Sequence, residues 1–366
     1  MKNFDEYLKE KEPEKREKGY AWQTAIGLQE VDGLKPSDYL IKTAQKHIEG
    51  DITIDEVQSL IKSYYDSKDV RNEKDLETEE ADKVSTNITR LLNERSFSFS
   101  LTGITSIHRR IFDGVFPFAG QIREYNITKK EWVLRGDTVL YVSASDIART
   151  IEYDLEKERA FDYRTISRDL FISHISQFVS GLWQIHPFAE GNTRTTAVFT
   201  ILYLRSLGFD VENDLFAKHS WYFRNALVRA NYQNVKNGVV RTSEFLDKFL
   251  RNLILGENNP LQNRYMVINT PKQWDENPQK QPMTEGHIEA IPVNIQCLIN
   301  SLANDQLSMK ELMERLEFKH RPTFVKNFLK PALEGGFLQR LHPETPKHPK
   351  QKYLLSLKGK MFLEKR

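Results

Sequence analysis

Hydrophobic residues recur along the chain mainly at the spacing of α-helices. Between residues 54 and 65 they fall three and four positions apart, on one helical face: Ile54, Val57, Leu60, Ile61 and Tyr64. The longest stretch without Asp, Glu, Lys or Arg runs from Leu170 to Ala189. It contains serine, histidine and glutamine side chains, which favours a buried core helix over a membrane span. The pattern predicts a mainly α-helical protein with one β-like interruption, between Ile122 and Val142.

Changes in composition divide the chain into predicted parts. Residues 1–82 hold helical patterns between densely charged stretches, and residues 83–258 form a long helical body. Residues 259–285 carry several prolines and predict a linker between domains. Residues 286–366 predict three short helices, Asn294–Ala303, Ser308–Leu316 and Pro322–Leu333, and then two strands, Phe337–Leu341 and Tyr353–Leu357. Three helices followed by a hairpin are the order of a winged helix.

Charge and cysteine content narrow the classes of function. The chain has 53 Lys and Arg against 51 Asp and Glu, but residues 291–366 have 14 against 7, a local net charge of +7. A basic winged helix is compatible with DNA as a partner, and equally with a solvated surface or a protein contact. The single cysteine, Cys297, excludes a disulfide framework, and the N-terminus holds no apolar signal segment. We therefore expect a soluble protein of the cytoplasm, with no membrane partner.

The segment from Ile185 to Ala197 carries the candidate chemistry. His186 can take a proton from a hydroxyl group near neutral pH, and Glu190 is an oxygen ligand suited to Mg²⁺ on phosphates. Residues 191–194 begin a helix whose free N–H groups attract anions, and the planar guanidinium of Arg194 matches phosphate oxygens. Base, metal ligand and anion site together predict transfer of a phosphorus group from a nucleotide. Three histidines lack this context and are expected to be structural or surface residues: His108, His174 and His219.

This segment resembles the signature of the Fic family, H-P-F-x-(D/E)-G-N-G-R-x-x-R. The matching positions are His186, Pro187, Phe188, Glu190, Gly191, Asn192 and Arg194. Ile107-His-Arg-Arg-Ile-Phe and Phe118-Ala-Gly-Gln-Ile-Arg are similar to the helix and turn that precede the family's β-hairpin flap. The resemblance implies a mainly α fold over about residues 83–256: a Fic-type helical bundle with a β-hairpin flap, here followed by a C-terminal winged helix. Family members usually transfer AMP from ATP to a Ser, Thr or Tyr hydroxyl of a target protein, and sometimes of themselves.

The resemblance also implies roles for individual residues. His186 would be the general base, and Glu190 would bind Mg²⁺ or Mn²⁺ on the phosphates. The expected nucleotide contacts are Gly191, Asn192, Thr193, Arg194, Tyr222 and Asn225. The flap, Arg123–Leu134, would hold the target by strand addition through Ile127 and Trp132, although Trp132 fits plain packing equally well.

Two positions depart from the signature: the third glycine is Thr193 and the final arginine is Ala197. Thr193 is expected to add bulk beside the phosphates. Without the final arginine the orientation of the nucleotide stays open. Three activities therefore remain: AMP transfer, phosphate transfer as in the related Doc proteins, and nucleotide sensing by a DNA-binding regulator without catalysis.

The N-terminal part bears on regulation. Residues 21–65 are similar to the small antitoxin modules that partner Fic toxins. In many Fic proteins the glutamate of an (S/T)-x-x-x-E-(G/N) motif pairs with the final arginine. No glutamate before Gly or Asn in this chain has Ser or Thr four positions earlier. We therefore expect no inhibitory ion pair, and any inhibition to be steric. The sequence leaves a homodimer open and identifies neither the target protein nor a DNA site.

Overall fold

Helices make up most of the computed structural model. It describes residues 4–9, 12–67, 72–94, 96–163, 166–209, 211, 214–268, 293–303, 305–316, 318, 320–346 and 348–356. Two compact units divide the chain: Met1–Ile122 with Asn126–Gly286, and His287–Arg366 with Arg123–Tyr125. The helices of the first unit are α1 (Pro13–Gly27), α2 (Asp38–Glu49), α3 (Ile54–Asp66), α4 (Glu73–Asn93), α5 (Leu101–Ile111), α6 (Ile147–Arg159), α7 (Arg168–Ile185), α8 (Asn192–Ser206), α9 (Leu215–Asn231) and α10 (Glu244–Leu255).

Helix α8 lies at the centre of the main hydrophobic core. All of its residues from Asn192 to Leu204 are buried, as the apolar pattern predicted for a central helix. Helix α7 packs against α8 and buries residues on several faces. Among the described residues, no helix is both long enough and apolar enough to cross a membrane.

The N-terminal helices form a smaller core of their own that joins the main one. Helix α3 starts with a capping box in which Thr53 and Glu56 satisfy each other's backbone N–H groups. It buries Val57, Ile61 and Tyr65, whereas Leu60, expected on the buried stripe, is 38% exposed. Leu60 lies outside the buried face because the residues of that face recur every fourth position.

Helix α1 connects the two cores. Its Ala21 and Ala25 belong to the main core, while Trp22 and Ile26 belong to the smaller one. The boundary expected between residues 82 and 83 falls inside α4, which packs against both α1 and α5. The N-terminal helices are therefore built into the first unit rather than attached to it.

The expected β-hairpin flap has no strands in this structure. The chain reverses direction around a short 3-10 turn, Trp132–Leu134, and the Glu131 N–H donates to the Asp137 carbonyl at 2.9 Å. The next N–H that a ladder would use, on Lys129, donates to the Thr138 hydroxyl at 3.3 Å. A side chain thus takes the place of a backbone acceptor, and the ladder does not extend.

The expected linker begins as part of the first unit. Met266 and Ile268 are buried in the main core, and the Ile268 N–H donates to the Val133 carbonyl at 2.9 Å. Residues 259–268 therefore belong to the packed first unit and do not form part of a linker, because they contribute side chains to the main core. Residues 269–285 of this prediction lie outside the described residues.

The C-terminal unit follows the predicted order of elements. Its helices are α11 (Val293–Leu302), α12 (Met309–Arg315), α13 (Arg321–Phe324) and α14 (Lys330–Glu334), with a π-helical segment, Val325–Leu329, joining the last two into one. Strands β1 (Leu338–Arg340) and β2 (Tyr353–Leu355) then pair antiparallel, with Gln339 opposite Leu354. The prediction of three helices and a hairpin is confirmed.

Candidate active site

The junction between α7 and α8 holds the predicted base in a defined orientation. His186 ends α7 in the left-handed conformation, with φ 51°, and is 2% exposed. Its Nδ1 lies 3.3 Å from the Trp183 carbonyl oxygen. Because a carbonyl only accepts, Nδ1 carries the proton of the neutral ring. The lone pair is then on Nε2, the atom that can take a proton from a substrate.

Gly191 is the residue that precedes α8, and it cannot be replaced without moving its neighbours. Its φ is 73°, and a Cβ atom added there would lie 2.1 Å from Cζ of Phe112. The glycine therefore serves both the left-handed turn and close packing on an aromatic ring. The turn presents the first amide groups of α8, which have no acceptor within the helix and favour an anion.

The next two residues use their side chains to build the site. Asn192 Oδ1 accepts from the Phe188 N–H at 2.9 Å, and its Nδ2 donates to the Phe188 carbonyl at 2.8 Å. Thr193 Oγ1 accepts from the indole N–H of Trp183 at 3.0 Å. The hydroxyl of Thr193, the residue expected to add bulk beside the phosphates, is thus directed at Trp183 of α7. Both residues can still offer backbone N–H groups to an anion.

His108 supports the motif from α5, as expected for a structural histidine. It is completely buried, and its Nδ1 accepts from the Gly120 N–H at 2.8 Å. Its Nε2 therefore carries the proton and faces the Glu190 carbonyl at 3.0 Å. Burial lowers the pKa of His108 to about 3, so the ring stays neutral. The sequence pointed to a role near the motif only through the position of His108 in the segment that resembles the family's helix before the flap.

Glu190 is partly exposed beside the start of α8. It faces a lysine that was not among the site residues predicted from the sequence. Lys129 Nζ lies 3.3 Å from Glu190 Oε2, and the Glu190 side chain is 26% exposed. A single accessible carboxylate fits Mg²⁺ that takes its other ligands from phosphates and water. Among the described residues, no three His, Cys, Asp or Glu side chains are grouped to hold a metal by themselves.

Arg194 is surrounded by N-terminal residues. Its Nε lies 2.7 Å from Asp32 Oδ2, and its Nη2 lies 2.9 Å from Glu80 Oε1. Its Nη1 donates to Gln29 Oε1 at 3.1 Å, and the guanidinium is 4.8 Å from the centre of the Phe112 ring. The family's ion pair with the final arginine has no counterpart at Ala197, but two N-terminal acids, Asp32 and Glu80, pair with Arg194 instead. No sequence signal marked either acid, because Leu28 and Leu76 stand where the inhibitory motif has Ser or Thr.

The other predicted site residues lie on α9 and in the flap segment. Tyr222 is buried and donates to the Phe245 carbonyl at 3.3 Å. Asn225 donates to Asn263 Oδ1 at 2.8 Å, while its own Oδ1 is buried without a hydrogen-bond partner among the described residues. Ile127 is half-buried, and Trp132 packs against the main core. Ala197, in place of the final arginine, is fully buried.

Two family models match parts of this chain. The Fic/DOC family model matches residues 98–204, and the model described as the Fic-like C-terminal domain matches residues 293–356. The chain thus contains a Fic/DOC family domain followed by a Fic-like C-terminal domain.

Two curated relatives and one solved structure are similar to this chain, each over a different share of its length. A probable protein adenylyltransferase, y4lH of Sinorhizobium fredii, is 31% identical over 34% of this chain and 62% of its own length. The protein adenylyltransferase VbhT of Bartonella schoenbuchensis is 24% identical over 50% of this chain and 37% of its own length. The chain thus spans less than two thirds of either relative. A Fic family structure from Desulfovibrio desulfuricans covers 96% of this chain and 90% of its own, at 19% identity and a TM-score of 0.42.

Proposed function

We propose that this protein transfers AMP from ATP to a Ser, Thr or Tyr hydroxyl of a target protein. The observation that carries the proposal is the orientation of His186, whose Nδ1 faces the Trp183 carbonyl and leaves Nε2 as the base. The start of α8, at Asn192, lies six residues further along and offers amide groups to phosphate. The curated relatives named as protein adenylyltransferases support the same activity.

The chemical step follows from these positions. The target hydroxyl oxygen forms a bond to the α-phosphorus of ATP, and its proton passes to His186 Nε2. The bond from that phosphorus to the oxygen that bridges to the β-phosphate breaks, and pyrophosphate leaves with the bonding electrons. The amides of α8 and the guanidinium of Arg194 stabilise the negative charge on the phosphates. Glu190 would hold Mg²⁺ or Mn²⁺, which supplies further charge neutralisation.

Labelled ATP tests this proposal and separates it from the alternatives. Purified protein is incubated with candidate target proteins and ATP labelled at the α- or the γ-phosphate. Label from the α-position on protein, lost when a chelator removes the metal, is the expected result. Transfer of γ-label alone would show phosphate transfer of the Doc kind. Binding of ATP without any transfer would show a nucleotide sensor.

We further propose that the N-terminal helices inhibit the protein by occupying Arg194. Asp32 and Glu80 both lie within 3 Å of its guanidinium nitrogens. Phosphate oxygens would need the same N–H donors, so the two acids and ATP compete for one side chain. Inhibition would then be electrostatic, rather than only steric as the sequence suggested.

Removing both acids should therefore activate the protein. In the double variant Asp32→Asn with Glu80→Gln, Arg194 keeps its charge but loses its carboxylate partners. A charge-assisted hydrogen bond contributes about 1.5–3 kcal/mol, so we expect ATP to bind roughly ten- to a hundredfold more tightly. Titration of both proteins with ATP measures this. Asp55→Asn is the matched control, since it removes an exposed acid that pairs with Arg90. Equal affinities in all three proteins would contradict the inhibitory role.

A second proposal concerns DNA, which the basic C-terminal unit favours. The third helix of that unit exposes Arg321, Lys326 and Lys330, and the third helix of a winged helix is the one that enters the major groove. We expect Lys326→Ala with Lys330→Ala to weaken duplex binding and to lower the salt dependence by about one unit per contact. Lys310→Ala is the control, since it removes an exposed lysine from α12 rather than from the third helix. Binding that is absent, or unchanged in the double variant, would rule out this surface.

A further inference from the structure

In space, a single tyrosine separates a fully buried carboxylate from the predicted base. Glu131 is 0% exposed. Arg224 of α9 approaches both of its oxygens, with Nη2 3.0 Å from Oε2 and 3.2 Å from Oε1. The hydroxyl of Tyr141 donates to Glu131 Oε1 at 3.2 Å. Glu131 lies within the predicted flap segment, but neither it nor Tyr141 is in the signature or was predicted individually as a site residue.

Tyr141 connects this carboxylate to His186. The centres of the Tyr141 and His186 rings are 4.2 Å apart with the planes inclined by 36°, so the phenol covers a face of the imidazole. Trp183 lies on another side, 5.2 Å from the imidazole and at 88° to it. Its carbonyl also faces Nδ1. Two aromatic residues and one carbonyl thus restrict the rotation of the imidazole ring.

Glu131 also holds the backbone that carries Tyr141. Its carbonyl accepts from the N–H groups of Leu134 and Gly136, and its own N–H donates to the Asp137 carbonyl. The reversal of the chain that leads to Tyr141 is therefore built around this residue. Burial raises the pKa of Glu131, and the positive charge of Arg224 opposes that effect. An ion pair buried to this degree is costly in free energy, so a role beyond stability is worth testing.

We infer that Glu131 is a positioning residue for catalysis, which acts through Tyr141 to hold the imidazole of His186 with Nε2 directed at the substrate. This inference rests on the proposed role of His186 as the base. The hydrogen bond from Tyr141 fixes where the phenol lies, and the phenol limits how far the imidazole can turn. A base that is misplaced by about 1 Å can lose around a hundredfold in rate.

The test observes the His186 ring directly and does not need activity. The ring-proton NMR signals of His186 are identified in the full chain by their loss in His186→Asn. They report the nearby phenol because an aromatic ring shifts the resonances of protons above it. Tyr141→Phe keeps the ring and removes the hydrogen bond, whereas Glu131→Gln removes the charge. We expect both variants to move the His186 signals and to lower kcat at least about tenfold, with KM for ATP within about twofold.

Tyr163→Phe is the matched control. The Tyr163 hydroxyl also donates to a buried carboxylate, Glu158, which lies with His174 and Tyr203 away from the motif. It should leave the His186 signals and kcat unchanged. If Glu131→Gln fails to fold because Arg224 loses its partner, Tyr141→Phe decides alone. Unmoved His186 signals in folded Tyr141→Phe would overturn the inference. Moved signals with an unchanged kcat would also overturn it, whereas the role of His186 as the base is tested separately by transfer in His186→Asn.

Discussion

Replacing His186 by asparagine is expected to lower AMP transfer about 10²–10⁴-fold while ATP binding stays close to wild type. The reason is that asparagine offers no lone pair for the hydroxyl proton at neutral pH, while the anion site on α8 is untouched. Asparagine suits this position better than alanine, because the residue has φ 51° and asparagine tolerates the left-handed region. Transfer rates with labelled ATP, and ATP titration of the same preparations, measure the two quantities.

The control for this variant is an exposed histidine of the C-terminal unit. His320→Asn makes the same chemical change at an exposed position outside the motif, on the residue before α13. It should transfer AMP at the wild-type rate. Transfer by His186→Asn within about threefold of wild type would exclude the residue as general base, since that loss is far below the range for this role.

Replacing Arg194 by methionine is expected to destabilise the first unit by about 3 kcal/mol. Methionine keeps the length of the side chain but leaves Asp32 and Glu80 without their counter-charge, and breaking a buried ion pair typically costs about 3–5 kcal/mol. The lower end applies because the two acids are 26% and 23% exposed, so water offsets part of the loss. Denaturant unfolding of the variant and the wild type measures the difference.

A combined variant separates the ion pair from simple packing. Arg194→Met together with Asp32→Asn and Glu80→Gln removes every charge of the cluster at once. Neutral amides need no counter-charge, so most of the lost stability should return, whereas ATP binding should not. An unfolding midpoint for Arg194→Met equal to that of the wild type would show that these pairs contribute nothing to stability in solution.

Local patterns in the sequence were enough to predict the main elements. The uncharged stretch before His186 became α7, and the apolar residues after Gly191 became the buried helix α8. In the C-terminal unit, the three helices and the hairpin lie within a few residues of the predicted ranges. These predictions succeeded because helix periodicity, proline and glycine act over a few neighbouring residues.

Predictions that needed strand pairing or distant partners were less successful. The flap was expected to form a hairpin, but the Thr138 hydroxyl accepts the hydrogen bond that would have extended the ladder. Lys129 was not singled out, although it lies beside Glu190, because 61 positions separate the two in sequence. Nothing in the residues around either one shows that they meet.

The sequence by itself determined the class of fold, the presence of a histidine, an acid and a helix start in one short segment, and the order of elements in the C-terminal unit. The tertiary structure alone decided how those groups are held. Arg194 meets Gln29 and Glu80 across 165 and 114 positions, and Tyr141 lies on His186 where the neighbouring Leu140 carbonyl accepts from Gln184 of α7. The physical reason is that caps and helical turns arise from neighbouring residues, whereas the environment of a buried charge depends on whichever distant side chains pack around it.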